Sequence, residues 1–368
     1  MKFSCEKALL QSMISITSRT VATKSSIPAL EGILIEVTNR LQLTGYNLKT
    51  GIRTVVPAEI QEEGTMVISA RLFGEIVRRL PDEVVKVSTE GYTVTIRCGM
   101  SEFKIQGSSA EEYPELPAVE YQNSILLPQK TLQSMINQTL FAVSTNDSRP
   151  IHTGELFEMD EDHNLTVVAV DGYRLALRRE QTQGGKPCSF VVPSAALSEV
   201  SKICSDTEEP VEIVQGQRHI MFRVGEITLI SRRLEGEFLN YKQSIPMNNP
   251  ITVLADRKKL IASIDRCSLI ITEQQKSPLR CQFEENLLKL KTATAIGTAY
   301  DECNVVGGAS LEIGFNNKYM LDALKAAPTD TLRLQLNTPV SPCVILPDEG
   351  KEQNFIYMVL PVRLRAGQ

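Results

Sequence analysis

The sequence predicts an α+β protein made of three copies of a domain of about 120 residues. Three observations predict it. The word Leu10-Gln11-Ser12-Met13-Ile14 returns unchanged as Leu132-Gln133-Ser134-Met135-Ile136, 122 residues later, and a degenerate copy, Leu260-Ile261-Ala262-Ser263-Ile264, lies 128 residues further on. The offset holds elsewhere: Pro28, Gly32 and Glu36 recur as Pro150, Gly154 and Glu158, and Pro278 follows Pro150 by 128. It then drifts only slightly, as loop insertions cause, with Glu75-Ile76 answering to Glu199-Val200 and Glu112-Tyr113 to Glu237-Phe238. A period this long points to a triplicated domain, each copy large enough for its own core, rather than to a solenoid.

Each repeat opens on a short strand (residues 2–5, 124–127 and 251–254) that leads into a helix. Leu9, Leu10, Met13, Ile14 and Ile16 are spaced to form one apolar stripe; Leu132, Met135, Ile136 and Leu140 repeat it, as do Leu260, Ile261 and Ile264. Such stripes are core. Alternating strands follow: 33–37 and 41–44 around a 38–40 hairpin turn, 155–159 and 165–170 around 160–164, and 280–284 and 287–291 around Glu285-Asn286. A second helix comes next, at 70–80, 194–204 and 316–326, with Ser69 and Ser194 placed as N-caps and Pro81 and Pro328 just past two of the ends. Closing strands at 84–88 and 93–97 flank Gly91, and those at 211–214 and 219–224 flank Gly216. Residues 118–123 and 247–250 read as linkers, so the domains are expected at 1–120, 124–247 and 250–368. Each is expected to hold about two helices and eight strands, the helices covering one face of the sheet.

Composition narrows the class. With 42% hydrophobic residues and a mean hydropathy of −0.09, a soluble globular chain is expected, and no apolar run approaches the ~20 residues of a membrane span. The start, Met1-Lys2-Phe3-Ser4-Cys5, carries no apolar signal segment. The eight cysteines, at 5, 98, 188, 204, 267, 281, 303 and 343, form no CxxC, which suits buried thiols in a reducing cytoplasm better than disulfides or zinc. A net charge of −5 argues against holding DNA by electrostatic grip alone.

The basic residues are nonetheless arranged. Arg71 and Arg78, seven apart, share one face of the second helix, and Lys318 and Lys325 have the same spacing. Lys202 follows Arg78 by 124, although the position matching Arg71 holds Ala195. One such pair is an ordinary solvated helix face. Recurrence in three repeats points to one surface that meets phosphate. Other motifs fall short. Gly184-Gly185-Lys186 lacks the upstream Gly and the following Ser or Thr of a phosphate loop. Asp160, Asp162 and Asn164 open like a calcium loop, but Leu165 and Asp171 stand where Gly and Glu are needed. His152, His163 and His219 have no ligand or triad spacing, and GxSxG, HExxH and GxGxxG are absent. Neither cofactor nor catalytic residue is expected.

Two segments remain: Val167-Val168-Ala169-Val170-Asp171-Gly172-Tyr173-Arg174-Leu175-Ala176 and Tyr357-Met358-Val359-Leu360-Pro361-Val362-Arg363-Leu364. With the Met1-Lys2-Phe3 start and the triple repeat, the whole chain resembles the bacterial DNA polymerase III β subunit, the sliding-clamp family. The resemblance implies three DNA-clamp domains per chain and a six-domain ring made by two chains head to tail, helices inside and sheets outside. It implies a non-catalytic processivity factor that encircles duplex DNA without sequence preference and is loaded by an ATP-dependent clamp loader. Topological linkage would reconcile an acidic chain with DNA, since weak contacts favour sliding.

Carried over residue by residue, the resemblance places Lys24, Arg71, Arg78, Arg149, Lys202, Lys318 and Lys325 towards DNA. It implies a peptide cleft lined by Val170, Gly172, Tyr173, Arg174, Leu175, Val340, Ser341, Met358, Val359, Leu360, Pro361, Val362 and Arg363, docking the replicative polymerase α subunit and other replication and repair proteins. Since strand residues alternate between faces, 359–362 would serve core and cleft together. Leu269 and Ile270 would meet Phe103 of a second chain, with 102–106 as the pairing edge strand. Some positions depart from the family pattern: His152 stands in the cleft for an aliphatic residue, Leu239 for the usual Pro and Gln243 for an Arg of some members, while 365–368 extend past the usual end. His152 and Leu239 keep a second reading open, a variant clamp that protects against a clamp-targeting compound.

Overall fold

The structure is a computed structural model and describes residues 1–182, 184–246, 248–272, 274–348 and 354–364. The expected extension at 365–368 and residue 247 of the second linker therefore lie outside the described residues. Helices are α1 (Lys7–Thr17), α2 (Ala70–Arg79), α3 (Gln129–Thr139), α4 (Ser194–Ile203), the short α5 (Tyr241–Ser244), α6 (Arg257–Ser268) and α7 (Asn317–Ala326). The apolar periodicity accounts for them. Helix α1 buries Leu10 and Ile14, and α6 buries Leu260 and Ile264. Helix α2 buries Ala70, Phe73, Ile76 and Val77 while Arg71 and Arg78 stay exposed. The Ser69 side chain accepts from the Leu72 N–H, and that of Asn316 from Lys318 and Tyr319. Ser194 differs from expectation: it is the first residue of α4, not its cap.

The chain divides into two compact units: Met1–Gln133, Gln183–Lys186 and Ser198–Arg233 in one, Ser134–Thr182, Pro187–Leu197 and Leu234–Gln368 in the other. The first holds two antiparallel sheets. One has five strands and ends on the edge strand Ser101–Gln106. The other has eight, four from the central repeat (Asn123–Pro128, Pro210–Gln215, His219–Val224, Ile227–Arg232) and four from the first (Thr50–Val56, Leu41–Tyr46, Gly32–Val37, Gly64–Ser69). The seam is Ile227–Arg232 against Thr50–Val56, with Leu229 opposite Ile52.

The second unit follows the same plan. A four-stranded sheet ends on Gly297–Asn304. A nine-stranded sheet joins four strands of the central repeat to five of the third, the seam being Arg174–Gln181 against Phe355–Val359. The sequence led to expect each repeat to close around its own strands. Instead, strands far apart in sequence pair and continue one sheet across a repeat boundary. The repeated glycine has a local cause: a Cβ at Gly154 would lie 2.3 Å from the Val192 carbonyl oxygen, and one at Gly32 2.9 Å from that of Ile68.

Candidate functional site

The site is organised by the turn between Asn164–Val170 and Arg174–Gln181, which pair with Val170 opposite Leu175. Asp171 Oδ1 accepts from the backbone N–H groups of Tyr173 (2.8 Å) and Arg174 (3.0 Å). Gly172 takes φ +89° with open space where a side chain would stand, and Tyr173 projects 61% exposed. Arg174 braces the turn from behind. Its Nε donates to Asp171 Oδ2 (2.9 Å) and its Nη1 to Asp322 Oδ2 (2.6 Å). The guanidinium lies 4.5 Å from the Tyr319 ring centroid, and that ring stacks on Tyr173 at 6.1 Å. The Leu360 N–H donates to the Tyr173 carbonyl (2.8 Å), so the C-terminal strand is tied to the same turn.

Strand alternation then makes a floor. Ile151, Val168, Val170, Leu175, Leu177, Tyr241 and Met358 pack into one apolar cluster with Phe238 and Ile356 at its margin. Their neighbours Ala176, Tyr357 and Val359 turn to the opposite face and join a separate core with Ala169 and Ile345. Above the floor opens a cavity of about 740 Å³. Of the expected cleft residues, His152, Val170, Gly172, Tyr173, Arg174 and Leu239 line it. A neighbouring hollow of about 550 Å³ shares Arg149, His152 and Leu239 and adds Ile151 and Phe238. A third, about 660 Å³, is lined by Ile271, Pro278, Asn316, Lys318 and Val362.

Leu175, Met358 and Val359 are buried, the first two in this apolar cluster and the third in the separate core, and none of them lines these three cavities. Val340, Ser341, Leu360, Pro361 and Arg363 belong to the walls of none of these three cavities. Val340 is 69% exposed, on a turn closed by the Thr338 and Ser341 hydroxyls at 2.7 Å. Sequence reasoning missed Ser144, Thr145, Asn146 and Ser148, which wall the large cavity, and Tyr319 and Asp322, which hold Arg174. The i, i+3 spacing of Tyr319 and Asp322 on α7 is the one signal that links them.

The structure also places Arg149 and Lys318, expected towards DNA, in the wall of the large cavity. The His152 ring meets Phe238 edge-on at 5.3 Å. Burial, and then the charge of Arg149, hold its pKa below the ordinary histidine value, so a neutral imidazole faces the cavity at pH 7.

The remaining basic residues are exposed: Lys24 in the loop before the short helical turn Pro28–Glu31, Arg71 in the first turn of α2, and Arg78, Lys202 and Lys325 in the last turns of α2, α4 and α7. Phe103 is 40% exposed on its edge strand and Leu269 80% exposed at the end of α6, with Ile270 half-buried beside it. Asp160 spends Oδ1 on the N–H groups of Asp162 and Asn164, so this segment is a hairpin turn. Among the described residues no cluster of three or more His, Cys, Asp or Glu could hold a metal ion. Among the described residues no helix is long and apolar enough to cross a membrane.

Three family models match in order: the DNA polymerase III beta subunit N-terminal domain over residues 1–117, its central domain over 126–240 and its C-terminal domain over 242–363. A beta sliding clamp of Staphylococcus epidermidis is 33% identical over 377 aligned positions, 99% of each chain. One of Staphylococcus aureus is 32% identical over the same share. Among solved structures, the DNA polymerase sliding clamp of Bacillus subtilis superposes with a TM-score of 0.94 at 30% identity, covering 99% of this chain and 100% of that one. A putative DNA polymerase III beta subunit of Eubacterium rectale gives 0.93 at 34%, covering 98% and 99%.

Proposed function

Because the chain belongs to the DNA polymerase III beta subunit family, we propose that it is a non-catalytic sliding clamp, a ring around duplex DNA that tethers the replicative polymerase. The observation that carries this reading is the succession of all three repeats as the family's N-terminal, central and C-terminal domains. Three domains are proposed, at 1–120, 124–247 and 250–368; the matched spans agree in number and order, with the third beginning at 242.

The ring is two chains, head to tail. Each compact unit ends in an incomplete sheet, of five strands in one and four in the other, with Ser101–Gln106 and Gly297–Asn304 as free edges. Pairing these edges between two chains would make a sheet of nine strands, the size of the larger sheet already within the chain. Phe103 and Leu269 supply exposed apolar contacts, with the Arg97–Glu102 and Arg266–Asp301 ion pairs at the margin. A chain carrying both Phe103→Asp and Leu269→Asp should sediment as a monomer at concentrations where the parent is a dimer. A dimer of unchanged stability would remove these residues from the joint.

The cleft receives a short peptide from its partners: the polymerase α subunit, the clamp loader, and repair and replication-control proteins. Its apolar floor takes aliphatic or aromatic anchors, and the turn at Gly172 offers backbone groups for direction. Loading uses the loader's ATP, and the setting is the cytoplasm. The test is retention on DNA of two shapes. Loaded onto nicked circular plasmid with loader and ATP, the protein should stay with the circle through a sizing column and leave once the circle is cut. Equal loss from both forms, with loading verified by a control clamp, would end the clamp reading. His152 and Leu239, which wall two adjoining hollows, favour one second reading, a variant clamp that resists a cleft-binding compound. Reverting both residues, to Leu and Pro, should then restore sensitivity.

A further inference from the structure

The basic residues assigned to the DNA-facing surface fall into two classes. In each repeat, the base in the last turn of the second helix is already held by a carboxylate. Arg78 lies 2.5 Å from Glu75, which also takes Arg79 at 2.7 Å. Lys202 lies 2.7 Å from Glu199, which also faces Arg19 at 3.6 Å. Lys325 lies 3.7 Å from Asp265. By contrast Lys24, Arg71, Arg149 and Lys318 make no ion pair among the described residues.

Glu75 and Glu199 occupy matching positions of the first two repeats. The third repeat carries Asp322 at that phase of α7, but Arg174 takes it at 2.6 Å, and a residue of the neighbouring helix α6, Asp265, faces Lys325 instead. The same pairing is thus reached by two routes. Exposed pairs of this kind add little stability, so stability is a weak reason for the recurrence. Their effect on an approaching polyanion is larger. A phosphate must displace a carboxylate and face its charge, and fewer counterions are released for each contact made.

We infer that Glu75, Glu199 and Asp265 set how loosely the clamp holds DNA: they neutralise the helix-end bases and leave the grip to the four unpaired ones. This rests on the proposal that these helix faces meet duplex DNA. The test uses the full-length chain with Glu75→Gln, Glu199→Gln and Asp265→Asn together, changes that remove charge with little change of shape. Binding to a short linear duplex would be followed by fluorescence anisotropy across a salt series. The variant should bind about ten-fold tighter or more at low salt, and the slope of log K against log salt should steepen by roughly one for each released base that meets a phosphate. On a nicked circle, single-molecule tracking should show slower diffusion. A parallel variant, Lys24→Ala, Arg71→Ala, Arg149→Ala and Lys318→Ala, separates the two ideas. If it loses affinity while the carboxylate variant matches the parent, the buffering role is wrong and the DNA-facing assignment stands. If neither variant changes binding, the assignment itself falls, and the inference with it.

Discussion

Replacing Arg174 by alanine is expected to destabilise the second unit by about 3 kcal/mol and to weaken docking of an apolar-anchored peptide more than ten-fold. The side chain is 10% exposed and lies between Asp171 and Asp322, themselves 12% and 30% exposed. Truncation strands both carboxylates in a poorly solvated place. It also removes the cation beneath the Tyr319 ring, the surface on which Tyr173 stacks. The two effects can be read apart. Urea unfolding reports the stranded charges. Peptide titration, under conditions where the variant is still folded, reports the slackened turn. Arg174→Lys keeps the charge without the two-pronged geometry, and should recover part of the stability but little of the peptide affinity. An Arg174→Ala protein as stable as its parent would mean that the two carboxylates are solvated without it.

The second large effect concerns Glu155, whose carboxyl is fully buried on the strand Gly154–Met159. Burial pushes its pKa up to about 8, opposed by a hydrogen bond from the Thr139 hydroxyl at 2.9 Å. Its Oε2 has no hydrogen-bond partner among the described residues. A raised carboxyl pKa means that the folded chain keeps a proton which the unfolded chain releases. Stability from this group is therefore complete below the ordinary glutamate range and declines as pH rises towards 8. Glu155→Gln carries no titrating proton. Compared with the parent it should be near-neutral at pH 5 and more stable at pH 8, by on the order of 4 kcal/mol from the size of the shift alone. Thermal melts of both chains across that range provide the measurement, and parallel pH profiles would mean that Glu155 is ionised in the folded protein. The matching residue of the first repeat is Ile33, also fully buried, so an apolar side chain fits this position of the fold.

Much of the local structure was legible because its causes are local. Stripes such as Leu10 and Ile14 repeat at helical spacing, and the alternation in 355–359 announces a strand with two jobs: Met358 turns to the cleft floor and Val359 to the core. What stayed hidden depends on residues that are distant in sequence. The pairing of Arg174–Gln181 with Phe355–Val359 spans most of two repeats and leaves no periodic trace. Glu155 carries nothing in its neighbours to mark it as buried. Lys318 was placed towards DNA by the recurrence of basic residues and Arg149 by family resemblance; that both also stand in the cavity wall follows from the packing of α7 and the loop before Pro150.

The two seams give the chain a division of labour that its repeats do not suggest. A repeat is the unit that was copied, but the sheets run past its ends, so repeats and compact units are out of phase. Among the described residues, the central repeat places four strands in the eight-stranded sheet and four in the nine-stranded one, and keeps no sheet to itself. An exchange of that one repeat with a relative would have to match two foreign seams at once. A cut that followed the compact units would pass, among other places, through the middle of α3 and of α4, where no comparison of repeats would place a boundary.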